Sequence, residues 1–137
     1  MEIFFVFFQI FNVVTTPLVT TANNYQLEIN VVNLKNNNGQ IAVQLLDERE
    51  HVVFQQFAPI DNKRGKLTFS GLVKGKYAVQ LYHDENSNSK MDFNKLGIPK
   101  EGYGFSNDAR GFMSAPAFEK QLFPVNKNTA INIKVSY

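Results

Sequence analysis

The sequence predicts an all-β domain: a seven-stranded antiparallel β-sandwich carrying one long ordered loop, behind a removable N-terminal segment. Three observations predict it. Apolar residues recur at every second position along much of the chain, short Asn-, Asp- and Gly-rich turns separate those runs, and no stretch holds the 3.6-residue period of a helix.

Tyr25, Leu27, Ile29 and Val31 alternate with Gln26, Glu28 and Asn30, the pattern of a strand with one buried face. Asn36-Asn37-Asn38-Gly39 forms a turn, because Asn and Gly accept positive φ at low cost. A second strand follows at Ile41, Val43 and Leu45 and ends in Asp47-Glu48-Arg49-Glu50. The third, His51 to Phe57, is apolar on both faces. Asp61 to Gly65 turns the chain into a fourth strand around Leu67 and Phe69, and Lys74-Gly75 leads into a fifth at Tyr77, Val79 and Leu81. A sixth is expected within Ala117 to Val125, and a seventh at Ile131, Ile133, Val135 and Tyr137. Strands of this kind pack as two antiparallel sheets.

Residues 1–22 differ from the rest. Ile3 to Phe8 is a dense apolar run, continued by Ile10-Phe11 and Val13-Val14; Pro17 and the small residues Thr20-Thr21-Ala22 follow. This is the layout of a signal peptide cleaved near Ala22, broken by Gln9, Asn12 and Pro17 and short for a bilayer span of roughly 20 residues. Glu2, with no Lys or Arg ahead of the apolar run, departs from the usual basic start, and a retained N-terminal anchor is the competing reading. The domain, residues 23–137, is therefore expected outside the cytoplasm: periplasmic, at the cell surface or secreted. Losing Glu2 moves the net charge from +2 to +3, spread along the chain without the clustered bases that nucleic acid requires. The chain has no cysteine, which excludes thiol catalysis and thiolate metal sites. A core of this size suffices without disulfides, and a monomer is expected.

Residues 84–116 hold no clear strand, and loops beyond roughly 12–15 residues are usually functional or disordered. Met91, Phe93, Leu96, Ile98, Tyr103, Phe105, Phe112 and Met113 give this one enough apolar surface to pack down onto the sandwich, so it is expected to be ordered. At its start, Asp84, Asn86, Asn88 and Asp92 fall on the first, third, fifth and ninth positions of a calcium loop, with the Lys90 carbonyl at the seventh. Ser89 stands where such a loop carries Gly, and Lys95 where it carries a bidentate Glu, so Glu101 or water would have to complete the shell. The same residues also suit an ion-free turn whose Asx side chains bond their own backbone, and both readings stand.

His83 falls on the apolar face of its strand, where a hydrogen-bonded core histidine is the commoner role. Ser106 lacks the G-x-S-x-G context of a nucleophile elbow, and neither histidine has zinc-site spacing. No catalytic set emerges. Tyr103, Phe105, Asn107 and Arg110 combine aromatics, an amide and a guanidinium, types favoured as interface anchors, and mark a candidate partner surface.

His83-Asp84-Glu85-Asn86-Ser87-Asn88, Leu96-Gly97-Ile98-Pro99-Lys100-Glu101-Gly102-Tyr103-Gly104-Phe105-Ser106-Asn107, Ala109-Arg110-Gly111, Pro116 and Phe118-Glu119 resemble the bacterial DUF2141 family over roughly residues 25–135. That family's pattern reads H-D-x-N-x-N-G-x-x-D, then G-I-P-x-E-x-[YW]-G-[FV]-S-N, then [PA]-x-F-x-x-A. Ser89 replaces its usual Gly, and Gln121 stands where a small residue is common. The resemblance implies an exported protein and no assigned activity. Leu67 to Val79 is similar to a stretch of transthyretin-like and collagen-binding B-type sandwiches, which bears on fold alone.

The function expected is a non-enzymatic extracytoplasmic module whose loop docks a partner, shaped by calcium. A carboxylate-dependent enzyme of the envelope, using Asp84, Asp92 and Glu101, and a structural spacer domain are the alternatives.

Overall fold

A computed structural model describes residues 24–137. The signal-peptide expectation falls on residues 1–22 and lies outside the described residues. Among the described residues no helix is long and apolar enough to cross a membrane.

The chain is all-β and builds two sheets. β1 (Tyr25–Val32) is central in the smaller, between β4 (Gly65–Leu72) and β8 (Thr129–Lys134). The larger runs β3 (Val52–Ala58), β2 (Gln40–Asp47), β5 (Gly75–Asp84) and β6 (Tyr103–Phe105), with β7 (Phe123–Val125) also paired to β5. Alternation sets the faces: Leu27, Ile29 and Val31 of β1 meet Ile41, Val43 and Leu45 of β2 with Val79 of β5, all fully buried. Each such side chain contributes about 1.5–3 kcal/mol by leaving water.

Four details depart from expectation. β1 and β8 run parallel, Leu27 opposite Thr129 through Val32 opposite Lys134, so the domain is not purely antiparallel. The two strands lie at opposite ends of the domain in sequence, and no hairpin constrains their direction. The expected strand at Ala117 to Val125 is instead a helical turn, α1 (Phe118–Gln121), followed by β7. The loop contains β6 and a 3₁₀ turn at Ser106–Asp108, which brings the described strands to eight rather than seven. Both short strands use one edge of β5: β7 pairs with Gly75–Tyr77 and β6 with Gln80–Tyr82. Neither has room to be longer.

The fourth departure concerns the apolar residues of the loop. They were expected to pack down, yet Leu96, Phe112 and Met113 are 84%, 89% and 92% exposed. Backbone and Asx hydrogen bonds hold the loop in their place. Asn94 Oδ1 accepts the N–H groups of Leu96 and Ile98 at 2.8 and 3.0 Å, and Phe93 bridges to Pro99.

Candidate binding cleft and its acidic turn

Ile41, Val43 and Leu45 point into the core, so Ala42 and Gln44 face outward from β2. Register then builds two parallel rows across the outer face. Gln44 lies opposite Gln55 on one side and Gln80 on the other, and Gln80 lies opposite Phe105. Beside this amide row, Ala42 lies between Phe57 and Tyr82, and Tyr82 opposite Tyr103. The Tyr103 and Phe105 rings meet edge to face at 5.9 Å.

The loop raises walls on this floor. Met91, Phe93, Ile98 and Pro99 from its first part and Met113, Ser114 and Ala115 from its second line, with that floor, a cleft of about 730 Å³. Among the described residues, no charged one lines it. A second hollow of about 700 Å³, between the Asp61–Arg64 turn and β1, is lined by Arg64, Lys66 and asparagines and gathers no aromatic ring.

The first wall springs from the acidic turn. Asp84 is fully buried; its carboxylate accepts N–H from Asn88 at 3.1 Å, from Ser89 at 2.9 Å and from the Gln40 amide at 2.9 Å. Asn86 Oδ1 accepts Asn88 N–H at 3.3 Å and Asn88 Oδ1 accepts Lys90 N–H at 3.0 Å, two successive Asx turns. Their amide nitrogens donate to Asp92, at 2.7 Å from Asn86 and 2.9 Å from Asn88. Those bonds hold the Asp92 carboxyl below its usual range.

Asp84, Asn86, Asn88 and Asp92 thus converge, while Lys90 offers its backbone and the Lys95 side chain lies exposed. Ser89, with φ 63°, holds the left-handed conformation that a calcium loop assigns to Gly. Glu101 closes the turn from behind. One oxygen accepts Asp92 N–H at 3.2 Å; the other is buried without a hydrogen-bond partner. Burial pushes its carboxyl up, helped by the charges of Asp92 and Asp84 and opposed by the Asp92 N–H. Among the described residues, no three His, Cys, Asp or Glu side chains form a metal cage by themselves. A cation here would depend on the two asparagine carbonyls and backbone as well, after their amides rotate.

The chain matches the family described as "Uncharacterized protein conserved in bacteria (DUF2141)" over residues 29–132, most of its length. It belongs to the DUF2141 family. No curated protein matches the chain.

In this DUF2141 chain the Gly102–Asn107 block is a splice between strands. A Cβ on Gly104 would lie 2.8 Å from Ile133 Cγ2, and one on Gly102 would clash with the Tyr137 ring, so β6 reaches the C-terminal segment only through glycines. Ser106, fully buried, fills the gap between β6 and β7: its hydroxyl accepts Val79 N–H at 2.9 Å and donates to Gln121 O at 2.5 Å. Asn107, at φ 60°, donates to Lys120 O and Leu122 O at 3.1 and 2.9 Å, and Asp108 accepts Lys134 N–H at 2.8 Å. Arg110 donates to Ser136 Oγ. Of the four candidate partner residues, Tyr103 and Phe105 line the DUF2141 cleft, while Asn107 and Arg110 fasten other segments outside its lining.

His83 is a fully buried strut. Nε2–H donates to Asn38 O at 2.6 Å, which leaves Nδ1 to accept the Tyr137 hydroxyl at 2.6 Å. The residues that sequence reasoning missed are Gln44, Gln55 and Gln80. Their signal was present: the solvent positions of three neighbouring strands carry glutamine where charged residues are common.

Proposed function

We propose that this chain is an exported, non-enzymatic binding module on a prealbumin-like sandwich, with its ligand held in the cleft above the larger sheet. The observation that carries this reading is the cleft's chemistry: an uncharged 730 Å³ space with aromatic side chains and a row of amides, within the range of ligand pockets. Asp84, Asp92 and Glu101, the carboxylates an enzyme would need, are absent from the lining, which supports binding over hydrolysis. Nile red, an uncharged apolar probe, tests the cleft. Saturable binding that Phe105→Arg abolishes, with the melting temperature kept, is expected; a folded protein that binds neither Nile red nor any other uncharged ligand saturably would remove the cleft from the function.

The acidic turn is proposed as a calcium site that sets the first wall, since Asp92 immediately follows Met91 and precedes Phe93. With few formal charges its affinity falls in the weak extracellular range of about 10⁻⁴–10⁻³ M. Magnesium and calcium should then differ in raising the melting temperature; equal curves in calcium and in chelator would exclude the ion.

A structural accessory role draws on β3, an edge strand whose Val52, Val53, Phe54 and Phe57 are 50%, 41%, 43% and 38% exposed and which carries no charge. Such an edge is open to strand addition. Val53→Lys should suppress concentration-dependent association in sedimentation; identical behaviour of the variant and wild type would count against edge pairing.

A further inference from the structure

We infer that the cleft takes a short, uncharged oligosaccharide lying across the strands, with the glutamine row reading its hydroxyls; this rests on the binding reading above. Gln55, Gln44 and Gln80 occupy consecutive strands in register, so their side chains repeat at about 4.8 Å. An amide both donates and accepts, as a hydroxyl does, whereas a charged floor would select for a counter-charge. A ligand matching this floor needs polar groups repeated along one side and no charge.

An apolar ligand fits worse. Gln44 is half-buried, and covering it with hydrocarbon would strip its water without replacement, at about 1–3 kcal/mol. Gln80, also half-buried, already donates its amide N–H to Gln121 Oε1 at 2.9 Å, which fixes its orientation and leaves its carbonyl to meet a ligand hydroxyl. A saccharide replaces that water with hydroxyls and offers C–H faces to the Tyr82 and Tyr103 rings in the next row. An extended peptide has less to gain. Under the cleft β2 and β5 are paired on both sides, so their backbone groups are engaged within the sheet; strand addition needs a free edge, which β3 offers only on its outer side, facing away from β2.

Titration calorimetry of the mature full-length protein tests the inference with uncharged tetrasaccharides of glucose, mannose and N-acetylglucosamine, a hyaluronate tetrasaccharide, an uncharged pentapeptide, and Nile red. At least one uncharged saccharide should bind with millimolar affinity or better. Gln44→Leu should weaken it about tenfold, the loss of one to two hydrogen bonds, and leave Nile red binding equal or tighter. If Nile red saturates the cleft while every uncharged saccharide fails, or only the peptide or hyaluronate binds, the ligand class is wrong and the cleft stands. Should Gln44→Leu weaken Nile red and saccharide equally, the amide row is not the reader. If nothing binds at all, the binding reading itself falls with it.

Discussion

Glu101→Gln tests the acidic turn most directly, because its two expected effects have opposite signs. The native carboxylate is 6% exposed, has one unpartnered oxygen, and feels Asp92 and Asp84. Its folded pKa is raised above the ordinary 4.5, so the native state holds the proton more tightly than the unfolded chain. Stability therefore falls as pH rises from about 4.5 through the raised folded value, above which the penalty is complete. Gln keeps an oxygen for Asp92 N–H and removes the charge. In chelator at pH 7 the variant should gain about 1 kcal/mol, the low end of the range for relieving an unsatisfied buried group, since a buried amide also loses water. That advantage should shrink toward pH 4.5.

Calcium would reverse the direction if the turn holds it. At about 10 mM calcium and Kd near 10⁻⁴–10⁻³ M, the wild type would then gain roughly 1.4–2.7 kcal/mol by mass action. If Glu101 is the carboxylate that replaces the twelfth-position Glu, the variant binds about tenfold more weakly and its lead narrows by about 1 kcal/mol. Urea unfolding followed by tyrosine fluorescence reads both effects, since the chain has five tyrosines and no tryptophan. A variant less stable than wild type in chelator at pH 7, or a gap indifferent to pH, would refute the electrostatic reasoning. A gap indifferent to calcium would refute the ligand role alone.

Three further substitutions probe the supports of the cleft. Ser89→Gly relieves a left-handed conformation that costs an L-residue about 1–2 kcal/mol, against about 0.5–1 kcal/mol of added chain entropy, so equilibrium unfolding should show stability held or raised by up to about 1.5 kcal/mol; a clear fall would give the hydroxyl a role of its own. Ser106→Ala leaves Val79 N–H and Gln121 O without their shared partner, and equilibrium unfolding should show a loss of about 1–3 kcal/mol. Gly104→Ala places a methyl 2.8 Å from Ile133 Cγ2 and 3.2 Å from Lys134 O, and should cost about 1–3 kcal/mol with faster hydrogen exchange confined first to β6.

Period-two alternation made five strands and β8 legible, because each has one face against the core and one against water. It failed where that asymmetry fails. β6 is three residues long and sandwiched between β5 and the Ser136 bridge, and its Tyr-Gly-Phe reads as loop. The run from Ala117 looked like a strand because Phe118, Leu122 and Phe123 are apolar, yet the edge of β5 is free only as far as Tyr77 before Ser106 takes over at Val79. The parallel pairing of β1 and β8 had no local signature at all. At the site, the Asx spacing announced the turn, and its bonds follow that spacing. The glutamines at solvent positions were legible one by one, but not as a row, since Gln44, Gln55 and Gln80 become neighbours only through the register of three strands.

The division of labour within the cleft follows from how its parts are held. The floor is fixed by the ladders of β3, β2 and β5 over a fully buried layer of Val43, Leu45 and Val79, and cannot shift one row without turning its apolar set outward. The walls have no such anchor beneath them: Phe93 and Ile98 are each 55% exposed and Met113 92%, and side-chain caps from Asn94 and the acidic turn set their course. In a cleft that binds a saccharide, specificity would therefore belong to the glutamines, which are rigidly spaced, and adaptability to Met91 and Met113, whose unbranched side chains repack at low cost. A cation at Asp84–Asp92 would stiffen one wall only, so calcium should slow ligand release more than it changes which ligand is chosen. Stopped-flow displacement of a bound saccharide, in calcium and in chelator, separates the two: a changed order of preference among saccharides would place selectivity in the walls instead.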